Sequence, residues 1–160
     1  IKFVHKQGKD FLVVEELFCP QGHSLMVDTV KIHNEPSIAI SVVIEKQKGA
    51  FYIDAFWGSH AKLYNFIPRL SGETPVIEAL SPPCGASLMT ERPCSMEECD
   101  SESHIVFYLP GRENRIFVCA RLGCPGHYLD VGNLPDGVVH SVNEINYFGA
   151  SSEEEMFQGI

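Results

Sequence analysis

The sequence has no dense cluster of Lys and Arg. Its 12 basic residues stand against 21 acidic ones, a net charge of −9, and such a balance repels a phosphate backbone unless a local basic patch offsets it. The nearest thing to a patch is Lys2, Lys6 and Lys9, so nucleic acid is not an expected partner. No apolar run approaches the roughly 18 residues of a membrane span. There is no Gly-rich phosphate loop with its Lys, no Gly-x-Ser-x-Gly elbow, and no His-Glu-x-x-His or His-x-x-x-His, which removes the commonest nucleotide, serine-hydrolase and zinc-protease signatures. Cys-x-x-Cys is also missing, which speaks against a thioredoxin-like role. Ile1 to Asp10 is rich in Lys and is followed by no apolar leader core, from which we expect the cytoplasm.

What is present is a chain able to fold. Apolar residues make up 44% and charged residues 21%, enough to bury a core. Ten Pro and 13 Gly point to many turns, and hence to a mainly β chain with little helix. The six Cys sit in marked surroundings. Cys19-Pro20-Gln21-Gly22-His23 and Cys124-Pro125-Gly126-His127 each pair a Cys-Pro turn with a His, and Ser81-Pro82-Pro83-Cys84-Gly85 has the form of a Cys-Pro-x-Cys-Gly knuckle with Ser in the first place. Cys94/Cys99 and Cys119/Cys124 add two further pairs. A metal knuckle needs a tight turn that points two ligands inward and frees backbone N–H groups to bond the sulfur, and Pro and Gly supply that turn.

These turn segments resemble those of zinc-ribbon and zinc-knuckle proteins. The likeness is confined to the turns, and it departs from ribbon spacing: the ligands here are separated by two, three or four residues rather than regularly two. Six Cys with His23 and His127 make eight donors, the number for two four-coordinate zinc sites. A four-thiolate site also accepts iron. In an oxidising compartment the six Cys would instead form three disulfides, in any of 15 pairings. His5, His33, His60, His104 and His140 lack a turn motif and are read as ordinary histidines.

The chain also resembles itself. Residues 15–26 lie over residues 78–89 without a gap, sharing Glu, Leu, Pro, Gly, Ser, Leu and Met. Downstream of each lies a hairpin pattern. In the first, Ile38 to Glu45 alternates, Gln47-Lys48-Gly49 turns, and Phe51 to Trp57 returns. In the second, His104 to Leu109 leads out, Pro110 to Asn114 turns, and Arg115 to Arg121 returns. Antiparallel pairing brings the start of one strand to the end of the next, so the second hairpin gathers Cys94, Cys99, Cys119 and Cys124. Cys19, His23, Cys84 and His127 then form a second, mixed site. A rival partition unites Cys19, His23, Cys124 and His127, and leaves Cys84 with Cys94, Cys99 and Cys119. Asp54 and Ser59-His60 occupy in the first copy the places of Cys119 and Cys124, which makes Asp54 or His60 a substitute ligand for His127.

The expected architecture is thus two similar antiparallel hairpin lobes with zinc-knuckle turns: a first lobe over 1–72, a second, Cys-rich lobe over 73–148, and an acidic tail over 149–160, the lobes able to form one compact domain. Ser59 to Phe66 is expected to make one or two helical turns, Gly132–Gly137 a turn and Val138–Tyr147 a last strand. The expected function is a zinc-stabilised module that binds another protein, through a surface that includes Phe51, Tyr52, Phe56 and Trp57. The alternative is a zinc-dependent hydrolase using an open position at the mixed site. Whether the chain is an enzyme the sequence does not decide, and binding is the better reading.

Overall fold

The computed structural model describes residues 2–6, 8–57, 59, 61–72 and 74–130. The expected turn at Gly132–Gly137, the strand over Val138–Tyr147, the acidic tail, His60 and His140 lie outside the described residues. The fold is mainly β, as composition and alternation require, and no helix occurs among the described residues. No helix there is long and apolar enough to cross a membrane.

The strands form three antiparallel sheets. β1 (Lys2–Lys6) pairs with β2 (Lys9–Val13) as a separate hairpin. The second sheet runs β3 (Met26–Ile32), β4 (Glu35–Ile44), β5 (Gln47–Ile53) and β6 (Lys62–Tyr64), with β7 (Glu78–Leu80) added to β4. The third runs β11 (His127–Asp130), β10 (Arg115–Cys119), β9 (Ser103–Tyr108) and β8 (Met89–Glu91). The alternating and β-branched residues that marked the hairpins are the buried ones. Ile38, Ile40, Val42 and Ile44 of β4 and Ile105 and Phe107 of β9 enter one continuous apolar core, which draws on both halves of the chain from Phe11 to Ala120.

Two local expectations are corrected. The β4–β5 turn is Glu45–Lys46, with φ of 46° and 71°, and Ile44 faces Gln47 across it. A two-residue hairpin turn needs positive φ at both positions, which Glu and Lys rarely adopt, so the Gly three residues on misled the reading. Distant chain holds the turn instead: the Glu45 carboxylate accepts from Ser71 N (3.2 Å) and Ser71 Oγ (2.8 Å), and Gln47 exchanges bonds with the Arg69 backbone (2.7 and 2.8 Å). Gly49 serves packing rather than the turn, since a Cβ there would run into the Phe66 ring. The expected helical turns over Ser59–Phe66 are replaced by β6. Tyr64 stacks on Phe51 with centroids 4.3 Å apart, and Asn65 Oδ1 takes the Ala50 N–H at 2.7 Å, contacts that an extended chain reaches and a helix does not.

Several backbone bonds in the first half have counterparts in the second. Leu25 N donates to Leu17 O (2.8 Å) and Leu88 N to Ala79 O (2.9 Å). Ala39 N bonds Leu25 O and Val106 N bonds Leu88 O, both at 2.8 Å. Val14 N bonds Ala55 O (2.9 Å) where Ile77 N bonds Ala120 O (2.8 Å), and Trp57 N bonds Leu12 O (2.8 Å) where Leu122 N bonds Pro75 O (2.9 Å). The halves are also interlocked. β7, from the second half, pairs Leu80 with Ser41 of β4. In return Phe18 exchanges two backbone bonds with Tyr108 of β9, at 2.8 and 3.0 Å.

Candidate metal centre

The four-cysteine cluster is built by the second hairpin. Cys119 ends β10, and Cys124 follows a turn that contains Gly123 with φ of 86°. Cys94 and Cys99 lie on the connection between β8 and β9, fixed by Cys94 N to Ser101 O (2.9 Å) and Cys99 N to Met96 O (3.1 Å). All four Sγ atoms lie within 4.8 Å of one another, with Cys94 to Cys124 at 3.7 Å and Cys99 to Cys119 at 3.6 Å. Zinc bonded to sulfur at about 2.3 Å in a tetrahedron sets S···S near about 3.8 Å, whereas a disulfide closes to about 2.05 Å. All six Cys are free thiols, so the disulfide alternative is set aside. Backbone N–H groups face the sulfurs as a knuckle requires: Met96 N to Cys94 Sγ at 3.5 Å and Gly126 N to Cys124 Sγ at 3.4 Å. The cluster can hold a metal ion and is compatible with a zinc-ribbon-like site.

The electrostatics suit a cation. Burial pushes the Cys124 thiol up against the Gly126 N–H, and the three neighbouring thiols add to the rise. Burial also raises the Cys94 thiol, with Cys119 and Cys99 acting the same way, against the Met96 N–H and Cys124 that favour its thiolate. For Cys99 burial again acts upward, but the Ser101 N–H and the three facing thiols outweigh it and the thiol is lowered. One cation among the four relieves this crowding of like groups. Gly126 contributes by being small: a Cβ there would stand 2.9 Å from Cys94 Sγ and 3.2 Å from Met96 Cγ. The Cys-Pro-Gly turn signals this residue, although its use is close approach rather than an unusual φ.

The second cluster joins the two knuckles. Cys19 Sγ lies 3.6 Å from His23 Nδ1 and 3.8 Å from Cys84 Sγ, and the three donor atoms lie within 4.8 Å of one another. Tetrahedral zinc with one sulfur and one nitrogen ligand sets that S···N distance near about 3.6 Å. The first knuckle closes through Cys19 N to His23 O (2.9 Å) and Gly22 N to Cys19 O (2.9 Å); the second through Ser81 N to Ala86 O and Gly85 N to Ser81 O, both 2.8 Å. The second loop therefore holds one residue more, and Cys19 corresponds to Ser81 rather than to Pro82 as the gapless overlay had it. Arg112, on the β9–β10 turn, donates to the Pro20 carbonyl and ties the first knuckle to the second half. Burial acts to raise the Cys19 thiol, but the Ser81 hydroxyl, the His23 ring and backbone and the Gln21 backbone outweigh it and lower the thiol to about 6.

The structure thus brings together Cys94, Cys99, Cys119 and Cys124 on one side, and Cys19, His23 and Cys84 on the other. The rival partition is not the one observed. His127 joins neither cluster: its Nδ1 lies 2.8 Å from Pro125 O and its ring stands edge-on to Trp57, centroids 5.0 Å apart. Asp54 is buried and belongs to a different group. It accepts from Ser59 Oγ (2.6 Å) and Phe56 N (3.1 Å) and lies 2.7 Å from His33 Nδ1. Burial raises its carboxyl above the usual range against these partners. Asp54 and Ser59 stand where the second half has Cys119 and Cys124, so the first half holds the corresponding loop with a hydrogen-bonded carboxylate. His104 is buried, with Nδ1 2.8 Å from Arg92 O, and His5 pairs with Asp10 at 2.9 Å; neither belongs to a cluster of candidate ligands among the described residues. No known protein family, curated protein or solved structure matches the chain.

Proposed function

We propose that the chain is a zinc-stabilised protein-binding module with two zinc ions per chain. The observation that carries the metal is the four-cysteine cluster, whose 3.6 and 3.7 Å sulfur pairs fit a tetrahedral ion and fit no disulfide. Thiolate and imidazole donors favour zinc, with iron the competing occupant of the four-cysteine site. Free thiols suit a reducing compartment such as the cytoplasm. We infer further that the halves are two copies of one unit, which their matched backbone bonds support.

The binding surface proposed here differs from the one read in sequence, because Phe51, Phe56 and Trp57 are buried in the core. β6 lies at the edge of its sheet, and Leu63, Tyr64, Ile67 and Leu70 stand exposed along and after it, Ile67 at 90%. An edge strand beside exposed apolar side chains is the kind of surface a partner strand uses. A hydrolase acting at the mixed site is the second reading, favoured by that site's three protein donors.

The test begins with elemental analysis of protein purified without added metal. Two zinc ions per chain, in colourless protein, is the expected result; red protein would mean iron, and absence of both would refute the metal reading. For binding, peptides selected on the full chain should lose affinity at least tenfold for the Leu63→Lys variant while its zinc content stays unchanged. Selected peptides indifferent to that substitution would refute the surface.

A further inference from the structure

Among the described residues the mixed site supplies three donors, one fewer than zinc takes. Among the described residues, no other Cys, His, Asp or Glu offers a ligand atom within 4.8 Å of Cys19, His23 and Cys84 together. The residue in the fourth donor's place is Ser81. It occupies the first-ligand position of its own knuckle, Ser81-Pro82-Pro83-Cys84-Gly85, and the loop bond Ser81 N to Ala86 O matches Cys19 N to His23 O. Ser81 is 1% exposed, and its hydroxyl makes no hydrogen bond of ordinary geometry. A buried hydroxyl gains from a polar partner, and a group at the fourth position would give it one.

We propose that this site holds zinc through three protein donors and takes its fourth from solvent: a water, exchangeable for a small thiolate, seated beside Ser81 and hydrogen-bonded to its hydroxyl. The proposal rests on the metal reading above and deepens it. A neutral serine hydroxyl is a poor substitute for a thiolate. Zinc is bound by Cys, His, Asp and Glu, and a C–O bond plus Zn–O contact falls short of the C–S and Zn–S pair by roughly 0.7 Å. Charge points the same way. Two thiolates and a neutral imidazole leave the ion with no net charge, whereas four thiolates leave −2, so the mixed site is the one of the two that an incoming anion can approach. The approach lies open as well, since His23 and Cys84 are both exposed.

The test uses the full chain loaded with two cobalt(II) ions, whose visible bands report ligand number and sulfur donors. Addition of millimolar 2-mercaptoethanol should shift the bands of one cobalt and leave the other unchanged. Ser81→Ala should keep both ions and the thiol response. Ser81→Cys should abolish the response and hold zinc at that site at least tenfold more tightly in competition with a chelator. Two bound ions whose bands ignore the thiol would overturn the proposal while leaving the metal reading intact, because some other donor would then close the site. Loss of one ion in Ser81→Ala would overturn it too, by making Ser81 itself a ligand. A chain that binds only one ion refutes the metal reading of this site and the proposal with it.

Discussion

Cys94→Ser removes one sulfur from the four-cysteine cluster, and its effect should be confined to one segment. The connection 92–102 between β8 and β9 carries little that could order it by packing. Apart from Cys94, Cys99 and the buried Ser101 its residues are exposed, and Met96 retains 42% of its surface. Ordering about eleven residues costs roughly 10–20 kcal/mol in backbone entropy. Three backbone bonds, Arg92 N to Glu102 O (2.8 Å), Cys94 N to Ser101 O (2.9 Å) and Cys99 N to Met96 O (3.1 Å), return about 1 kcal/mol each. A structural zinc ion contributes about 10–16 kcal/mol, which brings the two sides to within a few kcal/mol. Without the ion the connection should open, while Leu88, Ile105, Phe107 and Ile116 stay in the core and keep the hairpin paired. The expected result is a loss of one zinc per chain and fast amide exchange across 92–102 by mass spectrometry, with the protection of β9 and β10 preserved. Full metal content with unchanged exchange would refute the reasoning, and so would global unfolding, which would show that the ion supports the whole core rather than the loop.

Gly126→Ala should weaken the same site by at least tenfold in chelator competition, because its Cβ would stand 2.9 Å from Cys94 Sγ; an unchanged affinity would mean that the loop shifts freely. Asp54→Asn should be more favourable at pH 7 than at pH 4 in urea melts. Burial raises the Asp54 carboxyl, so its protonated form stabilises the fold at low pH and that contribution is lost as pH rises through the folded value, a loss that Asn does not suffer. A difference between variant and parent that stays constant with pH would count against it. With net charge −9, the chain should show no salt-sensitive binding to single- or double-stranded DNA by fluorescence anisotropy at micromolar concentrations.

Much of the four-cysteine cluster was legible because two strong local signals agreed. Alternation placed β9 and β10, and antiparallel pairing then left no distant choice for where Cys94, Cys99, Cys119 and Cys124 meet. The mixed cluster was legible only as the remainder once those four were assigned, since Cys19 and Cys84 are 65 residues apart and no local pattern links them. His127 shows where such reasoning stops. It has the turn motif of a ligand, but its ring is taken by Trp57 and its Nδ1 by the Pro125 carbonyl. The Glu45–Lys46 turn was hidden because its left-handed backbone is held by Ser71 and Arg69 rather than by its own residue types. β6 was hidden because stacking of Tyr64 on Phe51 decides it, and an aromatic pair between strands leaves no periodic trace in three residues.

The reciprocal loan of strand segments between the halves, β7 to β4 and Phe18 to β9, is the relation found in an isologous dimer, where each subunit gives its neighbour what it receives. Joined in a single chain, that relation rules out a simple hinge. Neither half can swing away without stripping a segment from the other, so the connector after Leu70 is not what holds them together. Proteolytic nicking there would leave two fragments clasped as a heterodimer, separable by denaturant and not by dilution alone.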